Sequence, residues 1–248
     1  MMRARWHIRR FTREGSAEAI RLLEEVVARQ PDNALAFADL ALAHHFAHGH
    51  GWAKSPAEAI VRRGEAARSA VAADDQDAVA QAALGIHELF KGQHSDALRR
   101  LHYAVELDPN SSFAYGMLGV AYCFSGECDP AIRHAQEAMR LSPRDFLLNI
   151  WVLAHAWAYL SVADYEKAAS GAQRSIECNP AFPDAHGVLA SSWAHLGRIE
   201  DARSALLEFI RLKPGLTLND DRLIRPFRRP EDRKRYHDGL RTAGLPEK

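Results

Sequence analysis

The sequence predicts an all-α fold built from stacked helical hairpins, and three observations carry that reading. Of 248 residues, 43 are Ala and only three (Thr12, Thr217, Thr242) are Thr. Ala is the best helix former, whereas β-branched residues favour strands. Segments 78–111 and 112–145 align without a gap: Leu84-Gly85 answers Leu118-Gly119, Gly92 answers Gly126, Ala97 answers Ala131 and Pro109 answers Pro143. The period is 34 residues, and segment 183–216 repeats it with Leu189-Ala190, Gly197, Ala202 and Pro214. Such a period marks units that bury their apolar faces only against one another.

Each landmark has a mechanical role. Gly85, Gly119 and Ala190 are small where the first helix of a unit crosses its second, and Ala97, Ala131 and Ala202 are the small residues opposite. Gly92, Gly126 and Gly197 end the first helix in the left-handed conformation. Pro109, Pro143, Pro180 and Pro214 end the second helix.

In chain order the units are 2–33, 34–77, 78–111, 112–145, 146–182 and 183–216. Unit 2–33, with Trp6, Ala19, Leu23 and Pro31, is a repeat shortened at its front. Pro31 to Asp75 spans 44 residues, placing about ten extra around 48–56. Pro143 to Pro180 spans 37, and the three extra are expected in the turn near 160–166. Residues 217–248 leave the period. There Pro230-Glu231-Asp232 starts a helix, Gly239 lies inside it, and Gly244 with Pro246 ends it. Leu223, Ile224, Phe227, Tyr236 and Leu240 are expected to cover the last hairpin as a cap.

Charge and composition exclude several function classes. The chain has 32 basic and 32 acidic residues, so no global field draws it to nucleic acid or an anionic membrane. Basic residues do gather at the ends: Arg3, Arg5, Arg9, Arg10 and Arg13 have no acid among them, and 217–248 holds nine basic against six acidic residues. No nucleic-acid signature accompanies them, so they read as solvated capping helices. The uncharged stretch 146–163 lies in phase with the repeat and reads as a buried helix, not a membrane span. The first residues lack the apolar core of a secretory signal. Three unpaired cysteines (Cys123, Cys128, Cys178) fit a reduced, cytoplasmic location.

The period and its landmarks resemble the tetratricopeptide repeat (TPR). The stretch RARWHIRRFTREGSAEAIRLLEEVVARQPDNALAFADLALAHH, the Trp52-bearing insertion and the ending RPEDRKRYHDGLRTAGLPEK look like a bacterial TPR array. In longer chains that array follows a class III nucleotide cyclase domain or a winged-helix DNA-binding domain. The resemblance covers almost the whole chain. It implies a right-handed superhelical solenoid of about six TPR hairpins, working as a regulatory or protein-binding module. No cyclase-like metal carboxylates, P-loop or GxGxxG motif is present, so the chain reads as a stand-alone module or as a fragment.

In TPR arrays the first helix of each unit lines the concave side. By that resemblance the groove residues here are Leu42, Phe46, Val79, Ile86, Phe90, Phe113, Val120, Phe124, Ile150 and Trp157. The Lys and Asn that hold a partner's C-terminal carboxylate in some TPR proteins are missing from the matching positions. An apolar stripe of this length requires a cover: a partner helix or peptide, a second copy in a homodimer, or the chain itself.

Two other clusters bear on chemistry. His44 and His48, in the run from His44 to Gly51, have the i, i+4 spacing that can chelate a metal. The run holds no acid or Cys ligand, and it reads as a solvated helix end. Cys123 and Cys128 flank a turn with no His in phase and read as small hydrophobes. The expectation is a non-catalytic protein-interaction scaffold with no cofactor and no bound metal. The alternative is a regulatory TPR segment acting in cis on a cyclase or transcription-regulator domain.

Overall fold

The structure, a computed structural model, describes residues 1–248 except Asp221, Arg222 and Ile224. Helices account for the regular structure of the described residues, and no strand occurs among them. In order they are α1 (Met2–Arg9), α2 (Arg13–Arg29), α3 (Ala34–Gly49), α4 (Pro56–Ala73), α5 (Ala78–Phe90), α6 (His94–Leu107) and α7 (Ser112–Phe124). Then come α8 (Cys128–Leu141), α9 (Leu148–Ser161), α10 (Tyr165–Cys178), α11 (Pro183–His195), α12 (Ile199–Leu212) and α13 (Pro230–Ala243). Packing divides the chain into two units, Met1–Ala114 and Tyr115–Lys248, with the division in the first turn of α7.

In the first unit α1 pairs with α2, α3 with α4 and α5 with α6. In the second, α9 pairs with α10 and α11 with α12. The small residues act where the sequence placed them. A Cβ on Gly85 would stand 2.9 Å from Leu101 Cγ and 3.3 Å from the Ala97 carbonyl oxygen. One on Gly119 would stand 3.1 Å from the Ala131 carbonyl oxygen, so α7 lies directly on α8. Helix starts are capped by Thr12, Asn33, Ser55, Asp77 and Asp164, whose side chains accept backbone N–H groups of the first turn.

First and second helices are buried differently, and their composition follows. In α5, Ala80 to His87 are all buried, and in α11 so are Ala185 to Ser192. By contrast α8 buries only Ala131, Ala135 and Ala138. A first helix has neighbours on several sides and a second helix on one, so only the second helix reads as amphipathic. This explains the uncharged stretch 146–163, since α9 buries nine of its 14 residues. Among the described residues, no helix is long and apolar enough to cross a membrane.

The insertions differ in part from expectation. The extra residues of 34–77 are spread over both helices and the turn: α3 has 16 residues against 13 in α5, and α4 has 18 against 14 in α6. The three extra residues of 146–182 are not near 160–166. That turn, 162–164, has the length of the turn 91–93. Two of the extra residues instead precede α9, in 142–147 as against 108–111, and the third lies in α9, with 14 residues against 13 in α5.

The turn 162–164 carries a strain that its counterparts avoid. Gly92, Gly126 and Gly197 hold the left-handed position with φ of 79°, 80° and 74°, and Ala163 holds it with φ of 62°. A Cβ in that conformation costs about 1–2 kcal/mol, part of which glycine returns through its freer unfolded chain. Ala163→Gly is therefore expected to stabilise the protein by about 0.5–1 kcal/mol in a urea melt. A loss of stability would contradict a left-handed Ala163.

Candidate functional site

The inner positions fall into two sets, one in each unit. In the first unit Phe46 is buried with its ring 5.1 Å from Phe11, and Ile86 is buried. Leu42, Val79, Phe90 and Phe113 are half-buried. Phe90 meets His45 edge to face at 4.7 Å. Leu42 and Val79 thus leave part of their apolar surface uncovered on α3 and α5.

In the second unit the chain supplies its own cover. Phe227 packs edge to face on Phe124 at 5.2 Å and on Trp157 at 5.4 Å, and Tyr236 meets Trp157 at 4.6 Å. The Arg228 N–H donates to the Phe124 carbonyl at 2.8 Å, so the segment is held by backbone as well as ring. Phe124 and Trp157 are consequently buried, while Val120 and Ile150 are half-buried. Helix α13 lies against α11 at Gly239, where a Cβ would stand 2.6 Å from the Ser191 carbonyl oxygen. Ser191 Oγ in turn donates to the Tyr236 carbonyl at 3.1 Å. The tail therefore covers more than the last hairpin: Phe227 reaches side chains of α7 and α9. Leu223, Tyr236 and Leu240 are buried, and Ile224 lies outside the described residues.

The histidine run packs the inserted turn. His44 is buried, and burial first, then the Arg62 charge, lowers its pKa to about 4. His50 stacks on Trp52 at 4.4 Å, and its Nδ1 lies 3.0 Å from the Phe46 carbonyl. Among the described residues, no three of His, Cys, Asp and Glu converge as a metal site. Cys123 is buried, and desolvation raises its thiol well above the ordinary range, which disfavours the reactive thiolate.

One buried group of the first unit is not visible in the repeat pattern. Arg63, on α4, is 2% exposed. Its Nε lies 3.4 Å from His87 Nδ1, its Nη1 3.3 Å from His45 Nδ1, and its Cζ 5.5 Å from the Phe90 ring centre. Burial lowers the Arg63 pKa to about 10. His87 is lowered to about 4, by burial first and then by Arg63, Arg68 and Lys91. Gly64 makes room for that imidazole, since a Cβ there would stand 2.7 Å from Nε2. In the sequence Arg63 reads as one more surface cation of VRRGEAAR, and only the mid-helix glycine beside it signals a close approach.

The lowered histidines set a pH dependence. In the unfolded chain His44 and His87 take protons near pH 6.5, and in the folded chain only near 4. Stability is therefore full above pH 6.5 and falls as the pH drops towards 4, by roughly 2 kcal/mol for each group. Asp39, raised by burial against the pull of Arg5, acts in the opposite sense. Melting temperatures at pH 7, 5.5 and 4.5 should fall in that order, and His87→Gln should flatten the decline. A flat wild-type profile would contradict the burial of neutral imidazoles.

Known proteins share this architecture. Residues 153–216 match the family model of the tetratricopeptide repeat. No curated protein matches the chain in sequence. A chain of the APC/C hetero-tetramer Cut9–Hcn1 superposes with a TM-score of 0.69 at 16% identity, covering 93% of this chain and 40% of that one. The human IFIT1 dimer with m7Gppp-AAAA gives 0.68 at 16% identity, over 81% of this chain and 47% of that one. TTC0263, a thermophilic TPR protein of Thermus thermophilus, gives 0.57 at 18% identity, over 74% and 92%. This chain thus spans less than half the length of the first two. At such identities the likeness establishes the fold. The chain has the helical-hairpin fold of a TPR solenoid, and residues 153–216 carry the sequence pattern of that repeat.

Proposed function

We propose that this chain is a non-catalytic protein-interaction module whose first unit takes a helix or peptide of a partner against Leu42, Val79 and Phe90. The observation behind this is that Leu42, Val79 and Phe90 of the first unit are half-buried and keep part of their apolar surface, whereas Phe124 and Trp157 of the second are covered by Phe227 of the same chain. Val120 and Ile150 there are half-buried like the first set. The Phe227 segment illustrates the kind of ligand these faces accept: one aromatic anchor, with a backbone N–H given to a helix-terminal carbonyl. The assembly of the Cut9–Hcn1 hetero-tetramer is a precedent for a related fold, at low identity.

The test compares the wild type with Val79→Glu. Val79 lies half-buried in the first turn of α5, so a carboxylate there stays hydrated in the free protein and adjoins the positive end of the helix. Helical content and melting temperature should be unchanged. A partner captured by the wild type, then purified, should bind the variant at least tenfold more weakly, because the carboxylate is desolvated without a counter-charge. Equal affinity for both forms would overturn the reading. Sedimentation of the wild type alone reports whether the occupant is a second copy.

A further inference from the structure

We propose that Arg63, held by His45 and His87, is a binding site in the first unit for a single oxyanion, a carboxylate or phosphate group. The site does not depend on the peptide-binding reading, because a free anion is enough to test it.

The argument begins with the guanidinium. A buried Arg is ordinarily matched by a carboxylate, in a bidentate pair that offsets its lost hydration. Elsewhere in this unit that rule holds: Arg100 meets Glu88 at 2.6 Å and Arg5 meets Asp39 at 2.6 Å. Arg63 is more buried than either, yet its polar partners among the described residues are two imidazole nitrogens at 3.3 and 3.4 Å. Those are long bonds to uncharged acceptors. His87 stays neutral at pH 7, so its Nδ1 can accept from Nε without adding charge.

The remaining donors have a direction. Nε donates to His87 and Nη1 meets His45 through one of its two N–H groups, while Nη2 makes no hydrogen bond among the described residues. Nη2 is not among the fully enclosed polar atoms that lack a partner, so the small exposed part of Arg63, 2% of the residue, includes it. His45 and Phe90, both half-buried, border it. The charges acting on His87 are those of Arg63, Arg68 and Lys91. Of the acids near Arg63 in sequence or beside His87, Glu65 faces Arg62 at 3.5 Å and Glu88 Oε1 receives Arg100 at 2.6 Å. A fixed guanidinium edge, the charges of Arg68 and Lys91 and an aromatic wall together favour a planar or tetrahedral oxyanion over a cation or a neutral group.

The test is calorimetric titration of the purified chain with inorganic phosphate and, separately, with acetate, at constant ionic strength and pH 7.5. One saturable site is expected for at least one of them. Tighter binding of phosphate assigns the site to phosphate groups, and tighter binding of acetate assigns it to carboxylates. Arg63→Gln, which keeps donors but removes the charge, should weaken binding at least tenfold. In the wild type, NMR signals of the Arg63 side chain and of the His45 and His87 rings should shift on titration with the same midpoint. This readout stands even if the variant fails to fold. Shifts confined to exposed Arg and Lys, no saturable binding of either anion, or undiminished binding by Arg63→Gln would overturn the proposal.

Discussion

Replacing Asp184 by Ala is expected to destabilise the second unit by about 3–5 kcal/mol. Asp184 Oδ1 receives Lys213 Nζ at 3.0 Å and Arg225 Nη2 at 2.5 Å. The Lys213 side chain is 1% exposed and that of Arg225 8%, so neither cation can recover its hydration without movement of the fold. The carboxylate also lies in the first turn of α11, where the helix dipole favours negative charge. Removing one partner of a buried pair costs more than the pair contributes, because a charge is left desolvated. Asp184→Asn, which keeps an acceptor oxygen, should lose about half as much. Lys213→Met in the Asp184→Ala background should restore part of the loss, a coupling readable in urea melts as non-additivity. A loss below about 1 kcal/mol for Asp184→Ala would show that water or another group compensates both cations.

How far the sequence foretells this molecule depends on which force wrote each feature. Gly92, Gly126 and Gly197 are legible because a left-handed turn admits few residues, and Pro109, Pro143, Pro180 and Pro214 because proline cannot continue a helix beyond its first turn. The same logic misplaces the extra residues of 146–182. Ala163 occupies the left-handed position without announcing it, so the turn looks irregular in sequence when only its residue type is. The ten extra residues of 34–77 are legible in number but not in place, since a longer helix pair and a longer turn have the same length in sequence. Arg63 is hidden for another reason. Its burial depends on a mid-helix glycine and two histidines from α3 and α5, a convergence that no local pattern encodes. Phe227 is legible as a covering residue, but the depth of its reach depends on the path of the connection after α12.

That reach sets the second large effect. Phe227→Ala should lower stability by about 3 kcal/mol, the lower end for a buried phenylalanine, because its site lies at the edge of the fold. Phe227 is 9% exposed, and truncation would remove both edge-to-face contacts, with Phe124 and with Trp157. For a chain of this length the loss corresponds to a melting temperature lower by about 6–12 °C. Tyr236 would still meet Trp157, so the indole would become wetter on one side only, and tryptophan emission should shift to the red without reaching that of unfolded chain. Arg228→Ala is the control. Arg228 is exposed, and its bond to Phe124 uses the backbone, so truncating the side chain should leave the melting temperature within about 2 °C. Equal and small effects of the two substitutions would place Phe227 outside the inner face, and Phe124 and Trp157 would then need another cover.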